Sequence, residues 1–256
     1  MYTPDFWMKP NKVPILSKDK IDSISERLIQ EFQPNALVHA EEINIDGFVE
    51  FYLEQSLDYQ YLSNNGVYLG MTVFNDSYVP VYDPQTDRAE YVAEQAGTVI
   101  IDNRLLDNGN EHRYRFTVAH EGGHCIMHKP YFKALAEGMS NRDVSLSPLV
   151  VCRKVNQDLQ KRKPEEWTDY DTMEWQANYM GAALLLPKKM VCLLAAHHVY
   201  QLDNEKYLRA FIKDLCETFN VSYETVCIRL HQLGCINNIT VQNLFRTRAS
   251  ACTSVR

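Results

Sequence analysis

The apolar residues of this chain change their spacing twice, from helical to alternating and back to helical, and that order constrains the fold more than any other feature. In residues 18–32, KDKIDSISERLIQEF, Ile21, Ile24, Leu28 and Phe32 share one helical face, and Ser17 stands where an N-cap belongs. A second helix is expected after Asp46, in GFVEFYLEQSL. Alternation then takes over. LDYQYLS and GVYLGMTVF flank Asn64-Asn65-Gly66, a hairpin signal, and YVPVY and AGTVIIDN complete a run of about four strands. From residue 112 nearly everything reads helical, apart from a polar stretch around 139–168. Segregated helices and strands predict an α+β fold with a small antiparallel or mixed sheet, not alternating βαβ units. The expected organisation is a core over 1–190, a helical subdomain over 191–240 packed on it, and a polar tail over 241–256.

Composition narrows the function classes. A net charge of −7 gives no basis for general affinity to nucleic acid or anionic membrane. Apolar runs such as GAALLLP (181–187) are far too short to span a bilayer. The first residues, MYTPDFWMKPNKVPILSKDK, are broken by prolines, lack an apolar stretch and do not read as a signal peptide. The 7 cysteines are scattered without a CxxC pair, which suggests reduced thiols and a cytoplasmic setting.

The chemistry concentrates in FTVAHEGGHCIMH, residues 116–128. His120 and His124 are one helical turn apart, so both imidazoles can grip a single cation. Glu121 lies about 100° round the helix, too far to join the grip but close enough to reach a water on the metal. Zinc brings the pKa of its bound water to about 7, and an adjacent carboxylate can then accept the proton. Gly122 and Gly123 each cost a helix about 1 kcal/mol relative to Ala, a cost tolerated where another backbone or a substrate must come close.

Two imidazoles leave a weak site, so a third ligand is needed. TMEWQANYMGAALLLPKKM (172–190) offers Glu174 at the start of a helix, although a glutamate there is also favoured by the helix dipole alone. Asn178, one turn on, can accept the free N–H of a ligand histidine, and Pro187 closes the helix. Two His and one Glu with an open fourth position form a catalytic zinc set.

Taken together, RFTVAHEGGHCIMH and EWQANYMGAALLLP resemble the ImmA/IrrE family of metallo-endopeptidases, whose pattern is close to RFTxAHExGHxxxH and ExxANxFAxxLLxP. GTVIIDNRL before them and FNVSYETVCIRLHQLG after them extend the resemblance to roughly residues 15–235. It implies a zincin-like α+β fold, one zinc ion per chain and peptide-bond hydrolysis, with His120, His124 and Glu174 as ligands and Glu121 as catalytic base. Tyr179-Met180-Gly181 stands where the family usually has a residue followed by Phe-Ala; the departure touches no ligand.

The remaining features are read more plainly. A fourth ligand would close the site, so His128 is expected behind the ligands and not on the metal. His197 and His198 are read as ordinary exposed or core residues. Residues 215–234 have a helix-turn-helix rhythm, with Ser222 as cap and Gly234 as stop. Their second helix carries Arg229 as its one firm positive charge, balanced by Glu224, so packing or substrate docking is expected, not DNA binding. A substrate peptide is expected to add to an exposed strand edge, for which AGTVIIDN is the candidate. The family resemblance points to a helix-turn-helix repressor as the protein substrate. A zinc-bound sensor without turnover and a DNA-binding regulator are the alternatives.

Overall fold

The computed structural model describes residues 2–139, 149–153, 163–198, 202, 204–237 and 239–245. Helix α1 (Lys18–Phe32) begins where Ser17 Oγ accepts the Lys20 N–H, and it buries Ile21, Ile24, Leu28 and Ile29. The second expected helix is short. α2 (Ile45–Gly47), capped by Asn44, widens at once into a π-helical turn over Phe48–Tyr52 that buries Phe48 and Val49.

The strands are β1 (Ser56–Gln60), β2 (Tyr68–Val73), β3 (Ser77–Asp83), β4 (Arg88–Glu94), β5 (Thr98–Asp102) and β6 (Leu149–Arg153). They form a mixed sheet in the order β1-β5-β2-β6 and a separate β3-β4 hairpin. This corrects the hairpin expected at Asn64-Asn65-Gly66, because β1 and β2 are not partners. β5 lies between them, parallel to β1 and antiparallel to β2. The reason is burial. Val99, Ile100 and Ile101 are all fully buried, so this run is apolar on both faces and takes the centre, while β1 is only half-buried and takes an edge. Buried Asp102, at the end of β5, holds the intervening turn: it accepts the Leu62 N–H at 2.9 Å and pairs with Arg104, which donates to the Asn64 carbonyl. The same finding corrects the substrate edge. AGTVIIDN is paired on both sides; the edges of this sheet among the described residues are β1 and β6. Strand β6 itself lies within the stretch expected to be polar loop.

Helices follow: α3 (Glu111–Met127), α4 (Lys129–Met139), α5 (Asp169–Leu185), α6 (Lys188–His197), α7 (Glu205–Phe219) and α8 (Tyr223–Gln232). The fold is therefore mixed α+β, as the segregated periods imply. α5 starts from a reciprocal cap: Thr168 Oγ1 accepts the Asp171 N–H, and Asp171 accepts the Thr168 N–H. α3 and α5 approach closely because small residues face each other. A methyl group at Gly123 would stand 3.3 Å from the Ala177 Cα, and one at Gly181 would stand 3.1 Å from the His120 nitrogen. Of the two glycines of HEGGH, Gly123 meets the close backbone approach expected of it, whereas Gly122 faces the side chains of Val49 and Leu53.

The C-terminal helices share the main core with α1, through Leu215, Phe219, Val226 and Leu230. Residues 239–245, partly inside the span read as a tail, are helical and bury Leu244; residues 246–256 fall outside the described residues. Among the described residues no single helix is long and apolar enough to cross a membrane, and the pair α5 and α6, which passes that test only together, is bent by 60°.

Candidate metal centre

His120 and His124 project from α3 and Glu174 projects from the first turns of α5, where the two helices cross. Three donor atoms converge there within 4.8 Å of one another. His120 Nε2 lies 3.6 Å from Glu174 Oε2, His124 Nε2 lies 3.3 Å from Oε1, and the two imidazole nitrogens are 3.0 Å apart. A tetrahedral zinc with ligand bonds of about 2.0–2.2 Å needs ligand-to-ligand edges of roughly 3.3–3.6 Å. Two of the observed edges fall within that range and the third, between the imidazoles, is slightly shorter, so the set fits such an ion once the two rings open a little. All three side chains are buried. Burial disfavours the charged imidazolium and pushes His120 down to about 4 and His124 down to about 3. Both rings are thus neutral at ordinary pH, the form that ligates metal.

Behind the donors, His120 Nδ1 is 3.1 Å from Asn178 Oδ1, the contact the spacing implied. His128 stays off the cluster. Its Nδ1 is 2.8 Å from His124 Nδ1, and its Nε2 is 2.9 Å from Gln176 Oε1.

Glu121 points elsewhere, toward β2. Its Oε2 accepts the Thr72 hydroxyl at 2.7 Å, while Oε1, buried, has no hydrogen-bond partner among the described residues. The carboxylate fits only because position 70 is glycine: a methyl group there would lie 2.7 Å from Oε1. Burial raises the Glu121 pKa well above the ordinary carboxylate value; the Thr72 hydrogen bond opposes this, and the nearby Glu174 charge adds to it. A carboxyl group with one oxygen fixed and the other unbonded is suited to passing a proton. Thr72, Gly70 and Gln176 were not read from the sequence. The first two reach the site across the fold from a strand, and Gln176 carries no signature apart from its place beside Glu174.

Residues 152–231 match the M78 peptidase family model, described as an IrrE N-terminal-like domain. The match supports an ImmA/IrrE family metallopeptidase. The general activity of this family is metal-dependent proteolysis. Its matched span takes in α5 with Glu174 and continues into α8; α3 with the two histidines precedes it. Among curated proteins none matches the chain.

Two further sequence readings meet the structure here. Arg229 on α8 is fully buried, with its Nη2 2.6 Å from Asp22 Oδ1 and its Nε donating to the Leu186 carbonyl. The one firm cation of the presumed recognition helix therefore faces the core. His197 and His198 lie at the exposed end of α6, apart from the donor cluster.

Proposed function

We propose that this chain is a zinc-dependent endopeptidase with a zincin-like fold, which cuts a peptide bond in one particular cytoplasmic protein. The reading rests on one observation: three buried donors from α3 and α5 converge while Glu121, next in sequence to one of them, is held apart by Thr72. His120, His124 and Glu174 would hold the ion, one per chain. Zinc, when bound, supplies Lewis acidity and a water acidic enough to lose its proton near neutral pH. Glu121 does the rest. Its Oε1 accepts the proton of the attacking water and returns it to the leaving amine, while Thr72 keeps Oε2 from rotating away. The extended peptide adds to the outer edge of β6, the neighbour of β2, whose Gly70 and Thr72 flank Glu121.

For the substrate we propose a helix-turn-helix repressor, with α7 and α8 as a docking module. The support is electrostatic and by resemblance: a chain of net charge −7 complements a basic DNA-binding protein. The test has two stages. Protein purified without chelator should carry about one zinc ion per chain by elemental analysis, as an open three-ligand set implies. Glu121→Gln should keep that zinc and lose hydrolysis by about 10²–10⁴-fold, the usual worth of a general base. The natural substrate should be a repressor encoded beside this gene, cut once and spared at raised salt, with casein left intact. Casein degradation with an untouched repressor would replace this reading by general proteolysis.

A further inference from the structure

The buried hydrogen bonds behind His124 run in one direction, and a backbone carbonyl sets it. Gln176 Nε2 lies 2.8 Å from the Pro14 oxygen. A carbonyl oxygen only accepts, so the amide nitrogen of Gln176 must face it and Oε1 must face His128. Turning the amide over would set two acceptor oxygens 2.8 Å apart in a buried place, where a hydrogen bond left unmade is not replaced by water. Oε1 also only accepts. The proton between it and His128 Nε2, across 2.9 Å, therefore belongs to the imidazole. A neutral imidazole carries one N–H, which leaves His128 Nδ1 bare. That nitrogen is 2.8 Å from His124 Nδ1, so His124 must donate from Nδ1. His124 Nε2 is then left with a lone pair, aimed at His120 Nε2 and Glu174 Oε1.

We infer that Gln176 and His128 are positioning residues, which fix the tautomer of His124 from the Pro14 carbonyl so that its Nε2 lone pair always faces the metal position. The inference rests on the metal reading of His120, His124 and Glu174, and it assigns a task to a histidine that the site does not otherwise use. Its geometry is well protected: Gln176 is 1% exposed and His128 is fully buried, so water does not compete for these protons. It also ties the site to the N-terminal segment, since Pro14 pairs with Met8 in an isolated β-bridge and the strap packs Val13 against Phe132 and Met173.

Long-range ¹H–¹⁵N correlation spectra of the zinc-free full chain read the tautomers directly. His124 should be protonated at Nδ1 and His128 at Nε2; a His128 ring protonated at Nδ1 overturns the inference. Zinc affinity, measured by competition with a chromophoric chelator, gives a second readout. Gln176→Leu removes the acceptor and should weaken zinc by about 10–100-fold, the usual effect of losing a hydrogen bond behind a ligand. Gln176→Glu should restore most of it, because a buried neutral carboxylic acid can donate to Pro14 and accept from His128 at once. Unchanged affinity and unchanged tautomers in a folded Gln176→Leu chain also overturn the inference. Should the wild-type chain fail to bind zinc, the metal reading falls, while the tautomer spectra still decide the hydrogen-bond chain.

Discussion

Removing the Asp22 carboxylate should cost this protein more than almost any other single substitution outside the site. Arg229 is fully buried and Asp22 is 3% exposed. The guanidinium gives Nη2 to Asp22 Oδ1 at 2.6 Å, and Tyr179 gives its hydroxyl to Oδ2 at 3.0 Å. Arg229 Nη1 has no hydrogen-bond partner among the described residues, so the charge depends on this one carboxylate. In Asp22→Ala the guanidinium is left buried without a counter-charge, which costs about 3–5 kcal/mol. The released Tyr179 hydroxyl adds to that side of the balance. At about 2–4 °C per kcal/mol for a chain of this size, the melting temperature should fall by roughly 6–20 °C. Urea unfolding followed by circular dichroism gives the free energy directly, with the same measurement on Asp22→Leu/Arg229→Met as control. Replacing a buried ion pair whole by apolar residues is often neutral or stabilising, so the double variant should recover most of the loss. A loss below about 1 kcal/mol in Asp22→Ala would refute the claim that this pair ties α8 to α1, since even an exposed ion pair reaches that size.

Other substitutions probe the site. Gly70→Ala should force Glu121 out of place, since the new methyl group would stand 2.7 Å from Oε1 and from Thr117 Cγ2. Hydrolysis should drop by about 10²-fold or more with zinc content unchanged, and wild-type turnover would contradict the assigned base. Glu174→Gln keeps the shape but removes the charge. Its zinc affinity should fall by more than the roughly 10–100-fold of an outer hydrogen bond, and an equal affinity would remove Glu174 from the ligand set. The metal-free protein should be acid-labile in a defined window. His120 and His124 take up protons more readily unfolded, near 6.5, than folded, near 4 and 3, so their stabilisation is complete above 6.5 and is lost as pH falls toward the folded values. Raised Glu121 acts with the opposite sign, but its contribution fades as pH falls below 4.5, where the unfolded carboxyl becomes protonated as well. Urea midpoints measured from pH 4.5 down to 3 should therefore fall less steeply in His120→Gln/His124→Gln than in wild type; identical slopes would show that these rings do not carry the effect.

The helix that carries His120 and His124 was legible in the sequence because its information is local. His120 and His124 are separated by one helical turn, Glu121 cannot share their face, and the caps Ser17 and Ser222 act within three residues of themselves. The α+β class was legible for the same reason, since spacing within a segment is set by the backbone period of that segment. Strand partners were not. Asn64-Asn65-Gly66 is a sound local turn signal, yet β5, about thirty residues downstream, takes the place beside both β1 and β2 because it is the run apolar on both faces. The pairing of β6 with β2 is likewise long-range, whereas β4 escaped the reading for a local reason: RAEYVAE is mostly exposed and shows no apolar alternation.

Within the site the same division holds. From residue types and intervals alone came two imidazoles, a third donor on a later helix and a carboxylate kept apart from them. Asn178 and His128 were also placed behind the histidines by spacing, but only the folded chain determined the rest of their surroundings: Thr72 and Gly70 around Glu121, and Gln176 and the Pro14 carbonyl behind His128 and His124. The physical reason is the range of the interactions. A helix places residues four apart on one face whatever the rest of the chain does, whereas the direction of a buried hydrogen bond depends on which donor or acceptor a distant segment brings to within about 3 Å of it.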